Sequence, residues 1–309
     1  GSTPPKGILV RLDGSALGKT QTVNQPVRAL SEKLAVRGKT FSYFDTTTNS
    51  WKNDTSLPVA LSYREREGVF GGIVGGQERY YLGGYVGSQS PGVARCSRAA
   101  SGYWSCTSHT GFSGGSTLSG LGGTLVASKA DQLWAVPFAG YEHIYAYGGS
   151  GTSWSRQAPK GCTDAVGAPC YTSFFTDFTD LYAGSTSDVW AVGTNGLVMR
   201  YDGALWKRFS NVVQYQSSYD LDAVYSDATL GLTIIVGHRD LGYGRYVSLF
   251  TYNHKLDRWR GPITVEKRFD YPYEETLILD IGGASATALY FVGHRSDNSG
   301  INPWALQLK

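Results

Sequence analysis

Short alternations of apolar and polar residues, broken by clusters of Gly, Asn, Asp and Ser, recur along the whole chain. A two-residue period of this kind is the mark of half-buried β-strands. It is clearest between Phe178 and Ser210. Phe178-Thr179-Asp180-Leu181-Tyr182-Ala183 reads as a first strand, a, and Asp188-Val189-Trp190-Ala191-Val192-Gly193 as a second, b, after a turn at Ser187-Asp188. Thr194-Asn195-Gly196 turns into strand c, Leu197 to Asp202, and Gly203-Ala204 into strand d, Leu205 to Phe209. Asn-Gly and Asp-Gly supply the positive φ that tight hairpins need. This stretch predicts one antiparallel sheet of four consecutive strands.

The same plan repeats. Trp51, Trp104, Trp154, Trp206 and Trp259 are separated by 53, 50, 52 and 53 residues. A second series lies upstream of these: Leu34-Ala35-Val36, Tyr80-Tyr81-Leu82, Trp134-Ala135-Val136, Trp190-Ala191-Val192, Ile234-Ile235-Val236 and Tyr290-Phe291-Val292. Both series have a period of about 52 residues, the scale of a propeller blade. The Trp series falls on strand d, where a large aromatic packs against its own blade. The upstream series falls on strand b. Phe41 to Asp45, Ile144 to Tyr147 and Leu249 to Asn253 then read as c strands. The chain predicts an all-β propeller of six four-stranded blades, with seven as the alternative.

In the last unit Leu289-Tyr290-Phe291-Val292 is strand b and Trp304 to Leu308 strand c, and no strand d follows. The N-terminal Gly7-Ile8-Leu9-Val10-Arg11-Leu12 is expected to supply it, closing the ring and leaving no open sheet edge. Residues 1–6 read as a cloning scar (Gly1-Ser2) and the end of a linker, and 7–309 as a single propeller domain. A signal peptide or lipid anchor upstream of this sequence is part of the same expectation.

Composition agrees with many short strands: 40 Gly, 21 Tyr, 12 Phe and 8 Trp against a single Met among 309 residues. Net charge is +3, from 28 basic and 25 acidic residues, with no concentrated basic run, which argues against nucleic acid as a partner. No apolar stretch is long enough to span a membrane as a helix. The four cysteines form two local pairs, Cys96 with Cys106 across a hairpin and Cys162 with Cys170 across a turn-rich loop. With no odd thiol and no C-x2-C spacing for a metal, both pairs predict disulfides and a secreted or cell-surface protein. Asn53-Asp54-Thr55 is a lone glycosylation sequon.

Phe41-Ser42-Tyr43-Phe44-Asp45 to Trp51, and Tyr81-Leu82-Gly83-Gly84-Tyr85, resemble kelch repeats. Ser187 to Gly193, continued through Tyr201-Asp202-Gly203 to Trp206, resembles repeats of secreted bacterial propellers. The resemblance implies a propeller scaffold; such scaffolds carry lectins, adaptors and enzymes alike, so it implies no activity.

The long connections are expected on one face. They are the d–a segments Thr107–Leu118, Ala158–Ser173 and Pro262–Pro272, and the b–c segments Val86–Pro91, Pro137–His143, His238–Arg245 and His294–Asn302. Long loops gathered on a rigid scaffold are where binding sits. Two b–c segments share a pattern, His238-Arg239-Asp240 and His294-Arg295-Ser296-Asp297, and Tyr141 and His143 occupy a third. Arg offers a planar donor fork, Asp accepts paired hydroxyls, and Tyr stacks on sugar rings. The competing view is structural: ion pairs between blades and imidazoles capping strand ends.

No H-E-x-x-H, G-x-S-x-G or P-loop pattern is present, and no cofactor or metal is implied. The Asp-box of sialidase propellers is echoed only at Gly149-Ser150-Gly151-Thr152-Ser153-Trp154, without its Asp. Asp177/Asp180 and Glu274/Glu275 are paired carboxylates in strand or loop context with no partner visible in the sequence, whereas a glycosidase needs two acids a fixed distance apart across a cleft. The leading expectation is a non-enzymatic extracellular binding propeller for a glycan or protein partner. The alternatives are a polysaccharide- or peptide-acting hydrolase or lyase, and a structural subunit of a cell-surface assembly.

Overall fold

The computed structural model describes the strands named below and, with side chains, residues 42–45, 47–52, 79–81, 93–99, 104–107, 132–136, 144–147, 154–155, 157, 178–209, 212, 218–240, 246–263 and 281. The chain gathers into two compact units, Gly1–Arg156 and Gln157–Lys309. Among the described residues the only helix is one 3-10 turn, Thr194–Gly196; everything else regular is strand.

The first unit opens with a two-stranded hairpin, β1 (Gly7–Asp13) and β2 (Ala16–Val23). A four-stranded sheet follows in chain order: β3 (Ala29–Leu30), β4 (Leu34–Arg37), β5 (Thr40–Asp45) and β6 (Ser50–Asp54). In the next sheet β7 (Leu61–Ser62) and β8 (Val69–Val74) both pair with β9 (Gln77–Val86), which continues through β10 (Ser90–Arg98) to β11 (Trp104–His109). The third has β13 (Thr124–Lys129), β14 (Gln132–Pro137), β15 (Tyr145–Tyr147) and β16 (Ser153–Arg156), with β12 (Gly111–Phe112) lying parallel against β16.

The second unit repeats the pattern. β18 (Phe178–Ser185), β19 (Asp188–Gly193), β20 (Val198–Tyr201) and β21 (Trp206–Arg208) form one sheet, with β17 (Thr163–Asp164) parallel to β21. β22 (Asp220–Asp227), β23 (Leu232–Asp240), β24 (Arg245–Asn253) and β25 (Arg258–Lys267) form the next. β26 (Glu275–Gly283), β27 (Leu289–Asp297) and β28 (Gly300–Leu308) form a three-stranded last sheet.

Every element of the sequence repeat falls where expected. The upstream series lies on β4, β9, β14, β19, β23 and β27, and the Trp series on β6, β11, β16, β21 and β25. Four of the five Trp residues face an aromatic on the preceding strand: Trp51 opposite Phe44, Trp154 opposite Tyr147, Trp206 opposite Tyr201 and Trp259 opposite Tyr252. Their ring centroids lie 5.3, 5.4, 5.6 and 4.9 Å apart. Aromatic pairs at such distances are worth about 0.5–1.5 kcal/mol beyond the area they bury. Trp104 departs from the plan. Arg98 stands opposite it, and its ring packs on Tyr80 and on Tyr43 of the preceding sheet.

The turns into strand d share a chemistry. The Asp45 Oδ1 accepts the N–H of Thr47 and Thr48, the Asp202 Oδ1 those of Ala204 and Leu205, and the Asn253 Oδ1 those of Lys255 and Leu256. A short polar side chain that mimics a backbone turn fixes where strand c stops. Asn49, Asp257 and Gly203 supply the positive φ that completes these turns. Lys52 and Lys207, each one residue after the Trp, return to pair with Asp45 and Asp202. The Lys52 ammonium holds the Asp45 carboxyl well below its usual range. At Asp202 partial burial pushes the other way, but Lys207 and the two N–H groups outweigh it and hold the pKa at about 2.

Three expectations change. Gly7–Asp13 pairs with Ala16–Val23, and among the described residues no fourth strand joins the last three. A neighbouring hairpin partner reaches β1 at far lower loop-closure cost than a strand at the other end of the chain. Second, the ladder extends into three of the b–c segments. Val86 pairs with Ser90, Asp240 with Arg245 and Asp297 with Gly300, so the expected loops are shorter than the segments read from the sequence. Third, β25 continues past Pro262 to Lys267. Gly261, at φ 126°, makes the irregularity that lets a residue without an N–H sit in the ladder.

Candidate functional site

The first strands of the three sheets in the second unit share one defect. The register slips between Phe178 and Asp180, between Leu221 and Ala223, and between Ile278 and Asp280. In each case the residue just before the slip pairs with the glycine that follows the apolar run of strand b: Gly193, Gly237 or Gly293. A bulge re-aims a side chain that regular pleating would point elsewhere. At β22 the extra residue is Asp222.

Asp222 Oδ2 accepts a hydrogen bond from Nδ1–H of His238 on β23, at 2.6 Å. His238 is 7% exposed, so this partner is what makes burying the ring tolerable. Because the carboxylate can only accept, the neutral ring carries its proton on Nδ1, and Nε2 is left as an acceptor. Nε2 lies 3.9 Å from Oδ2 of Asp240, which is well exposed. Side chains on a strand alternate, so His238 and Asp240 share one face of β23 and Arg239 takes the other.

Gly237 explains the close approach. A Cβ there would lie 2.7 Å from the Asp220 carbonyl oxygen and 2.7 Å from Leu221 Cδ2. The bulge in β22 is also clamped from the preceding sheet. Thr179 Oγ1 donates to the Leu221 carbonyl, and Asp180 Oδ2 accepts the N–H of Val224 at 2.8 Å. Asp180 Oδ1 takes the N–H of Leu181. Burial dominates at this carboxyl and raises its pKa to about 6 despite both N–H donors.

Of the sequence-predicted site residues, His238, Arg239 and Asp240 lie at the end of β23 rather than on a loop, and the structure joins His238 and Asp240. His294, Arg295 and Asp297 occupy the equivalent end of β27, with His294 opposite Pro303 and Arg295 opposite Asn302. Tyr141 and His143 lie outside the described residues, as do Cys162 and Cys170. Cys96 and Cys106 face each other across β10 and β11 and are disulfide-bonded. Asp222, the residue that orients His238, is absent from the sequence-based set. Its signal was a slip in the alternation: apolar residues three apart, as in Phe178/Leu181, Leu221/Val224 and Ile278/Ile281, where regular pleating requires two. Among the described residues no cluster of His, Cys, Asp and Glu is arranged to hold a metal ion, and no helix is long and apolar enough to cross a membrane.

No protein-family model matches the sequence, and no curated protein is significantly similar to it. Solved structures do resemble the fold. YCF48 bound to a D1 peptide superposes with a TM-score of 0.52 at 11% identity, covering 88% of this chain and 75% of that one. An ulvan lyase, described as a new polysaccharide lyase family, gives 0.54 at 8% identity over 92% of this chain and 72% of its own. The xyloglucanase of Xanthomonas campestris gives 0.52 at 11% identity over 89% of this chain and 46% of that one. These neighbours are β-propeller-like, and the antiparallel sheets here share that class of fold. The likeness is to propellers generally and not to kelch proteins in particular.

Proposed function

We propose that residues 7–309 form one extracellular propeller that binds a glycan or a protein partner without catalysing a reaction. The observation that carries this reading is the oriented Asp222–His238 pair with Asp240 beside it, at the b–c end of the β22–β25 sheet. A ring held in one tautomer, next to an exposed carboxylate, presents acceptors of fixed direction. Such acceptors suit sugar hydroxyls or the amide and ammonium donors of a peptide. The His294-Arg295-Ser296-Asp297 sequence at the matching end of β27 supports a second copy of this arrangement. The disulfide supports an oxidising compartment. The bound peptide of YCF48 and the polysaccharide substrates of the other two neighbours are compatible partner classes.

Screening the protein and a His238→Ala/His294→Ala double variant against glycan and peptide arrays tests the reading. Binding that the double variant loses supports it. Binding that both proteins share equally removes the site from this end of the sheets.

A second reading has its own observation. Asp180, with its pKa raised to about 6, lies on the first strand of the preceding sheet and accepts the N–H of Val224 on the strand that carries Asp222, and a carboxyl that titrates this close to neutral pH is the material of acid–base chemistry. Under this reading the chain cleaves a polysaccharide. Release of reducing ends or unsaturated products from sulfated and neutral polysaccharides, abolished by Asp180→Asn, would establish it; inertness across the panel would leave the binding reading.

A further inference from the structure

At the opposite end of the same two sheets lies a buried polar chain that the proposed site does not use. Asp188, 3% exposed at the start of β19, accepts from Trp190 Nε1 at 2.9 Å and from Arg200 Nε at 2.8 Å on Oδ1. Its Oδ2 accepts from Ser226 Oγ of the neighbouring sheet at 2.6 Å. Ser226 Oγ lies 2.9 Å from Thr233 Oγ1, and Thr233 Oγ1 lies 2.7 Å from His254 Nε2. The loop closes where Arg200 Nη2 approaches His254 Nδ1 at 3.4 Å.

Every proton in this ring is fixed by elimination. A guanidinium can only donate, so Nδ1 of His254 must accept and carries no proton. The ring proton is then on Nε2 and points to Thr233 Oγ1. Thr233 has its own hydroxyl proton to give, and gives it to Ser226 Oγ. Ser226 passes its proton to Asp188 Oδ2, which can only accept. One arrangement satisfies all these groups, and it requires a neutral imidazole.

We infer that this ring is an acid-sensitive latch between the β18–β21 and β22–β25 sheets, closed while His254 is neutral and opened when Nδ1 takes a proton. Protonation at Nδ1 turns the acceptor of Arg200 into a second donor and sets two cations against each other beneath Trp190 and Tyr252. Among the described residues the charged and titratable groups around the ring are few. Asp188 and Arg200 face it from the β18–β21 sheet, Tyr252 and Asp257 belong to its own sheet, and Lys255 follows it in the chain. Tyr252 donates to Asp257, and burial and that carboxylate raise its pKa to about 12, so it stays neutral. Asp188 favours a charged His254, whereas burial, the larger influence, and Arg200 disfavour it; the net direction is downward from 6.5. Stability contributed by the closed ring is therefore complete above about pH 6.5 and drains away as pH falls through the lower folded pKa.

The test uses the whole chain. Long-range proton–nitrogen NMR of ring-labelled histidine should show His254 with its proton on Nε2 at neutral pH and a pKa below 6.5. Amides of Ser226 and Thr233, corrected for intrinsic exchange, should lose about tenfold in protection between pH 7 and pH 5. In His254→Gln, whose amide can accept from Arg200 and donate to Thr233 without titrating, that loss on acidification should be absent, leaving only the opposite trend that Asp180 contributes. A proton found on Nδ1 overturns the inference, and so does equal acid sensitivity in both proteins. If His254→Gln does not fold, Arg200→Met serves: with the donor gone, the His254 pKa should rise, and an unchanged value overturns the latch.

Discussion

Asp222 and His238 are sixteen positions apart in sequence and 2.6 Å apart in the fold, carboxylate to imidazole, across the first two strands of one sheet. The contact exists because β22 carries one residue more than β23 opposite it. Asp222→Ala leaves a buried N–H without an acceptor and should cost about 1–3 kcal/mol. A double-mutant cycle with His238→Ala, followed by chemical denaturation, should return a coupling of at least about 0.5 kcal/mol; additive effects would show that the two residues act independently.

Gly237→Ala should be more damaging than a glycine-to-alanine change usually is in a strand. The new methyl would stand 2.7 Å from a backbone oxygen, which cannot swing aside as a flexible side chain would. A loss of about 1–3 kcal/mol is expected, with the tryptophan fluorescence of the folded protein largely retained. Wild-type stability in this variant would mean that the bulge has room for a methyl group and does not require glycine.

Asp180 gives a pH dependence of defined sign. Its pKa is about 6 in the fold against 3.8 as the ordinary value, so the folded chain binds this proton more tightly than the unfolded chain. Its contribution is complete below about pH 3.8 and is lost as pH rises through 6. Relative to Asp180→Asn, the wild-type protein should lose about 1–3 kcal/mol between pH 4 and pH 7. Denaturant titrations at several pH values check this, and parallel profiles would contradict it. The sign is opposite to that for His254, so the two variants separate the contributions.

The Cys96–Cys106 bridge closes a short loop between residues already paired in register, with Cα atoms 4.0 Å apart. The cysteine pair lies two positions along the ladder from the Arg98–Trp104 pair, in the hairpin whose strand-d Trp stands opposite a cation rather than an aromatic. Cys96→Ala/Cys106→Ala should therefore cost about 2–3 kcal/mol, and non-reducing peptide mapping should recover the two cysteines in one linked fragment. Separate, alkylatable peptides would refute the pairing.

The sequence by itself determined the b and d strands of the repeat, the order of the four strands between Phe178 and Ser210, and the pairing of Cys96 with Cys106; the parallel strands β12 and β17 were not legible in it. Alternation, Asx-led turns and the Trp period act over a few residues, and chain-adjacent antiparallel strands pair by local hairpins; a long-range partner is not needed to read them. That is why Trp206 on strand d, or Asp188 to Gly193 as strand b, was legible in advance. The tertiary structure decided the rest. It gave β1 a local partner in β2, drew His238-Arg239-Asp240 out of a loop and into a strand, and set His238 and Asp240 on the face opposite Arg239. It joined Asp222 to His238 through a bulge, and Asp188 to His254 through two hydroxyls and a guanidinium. These contacts depend on where the backbone departs from regular pleating by one residue, and on how one sheet lies against the next. Neither is set by residues close in sequence: a single slip in register moves every later side chain to the other face.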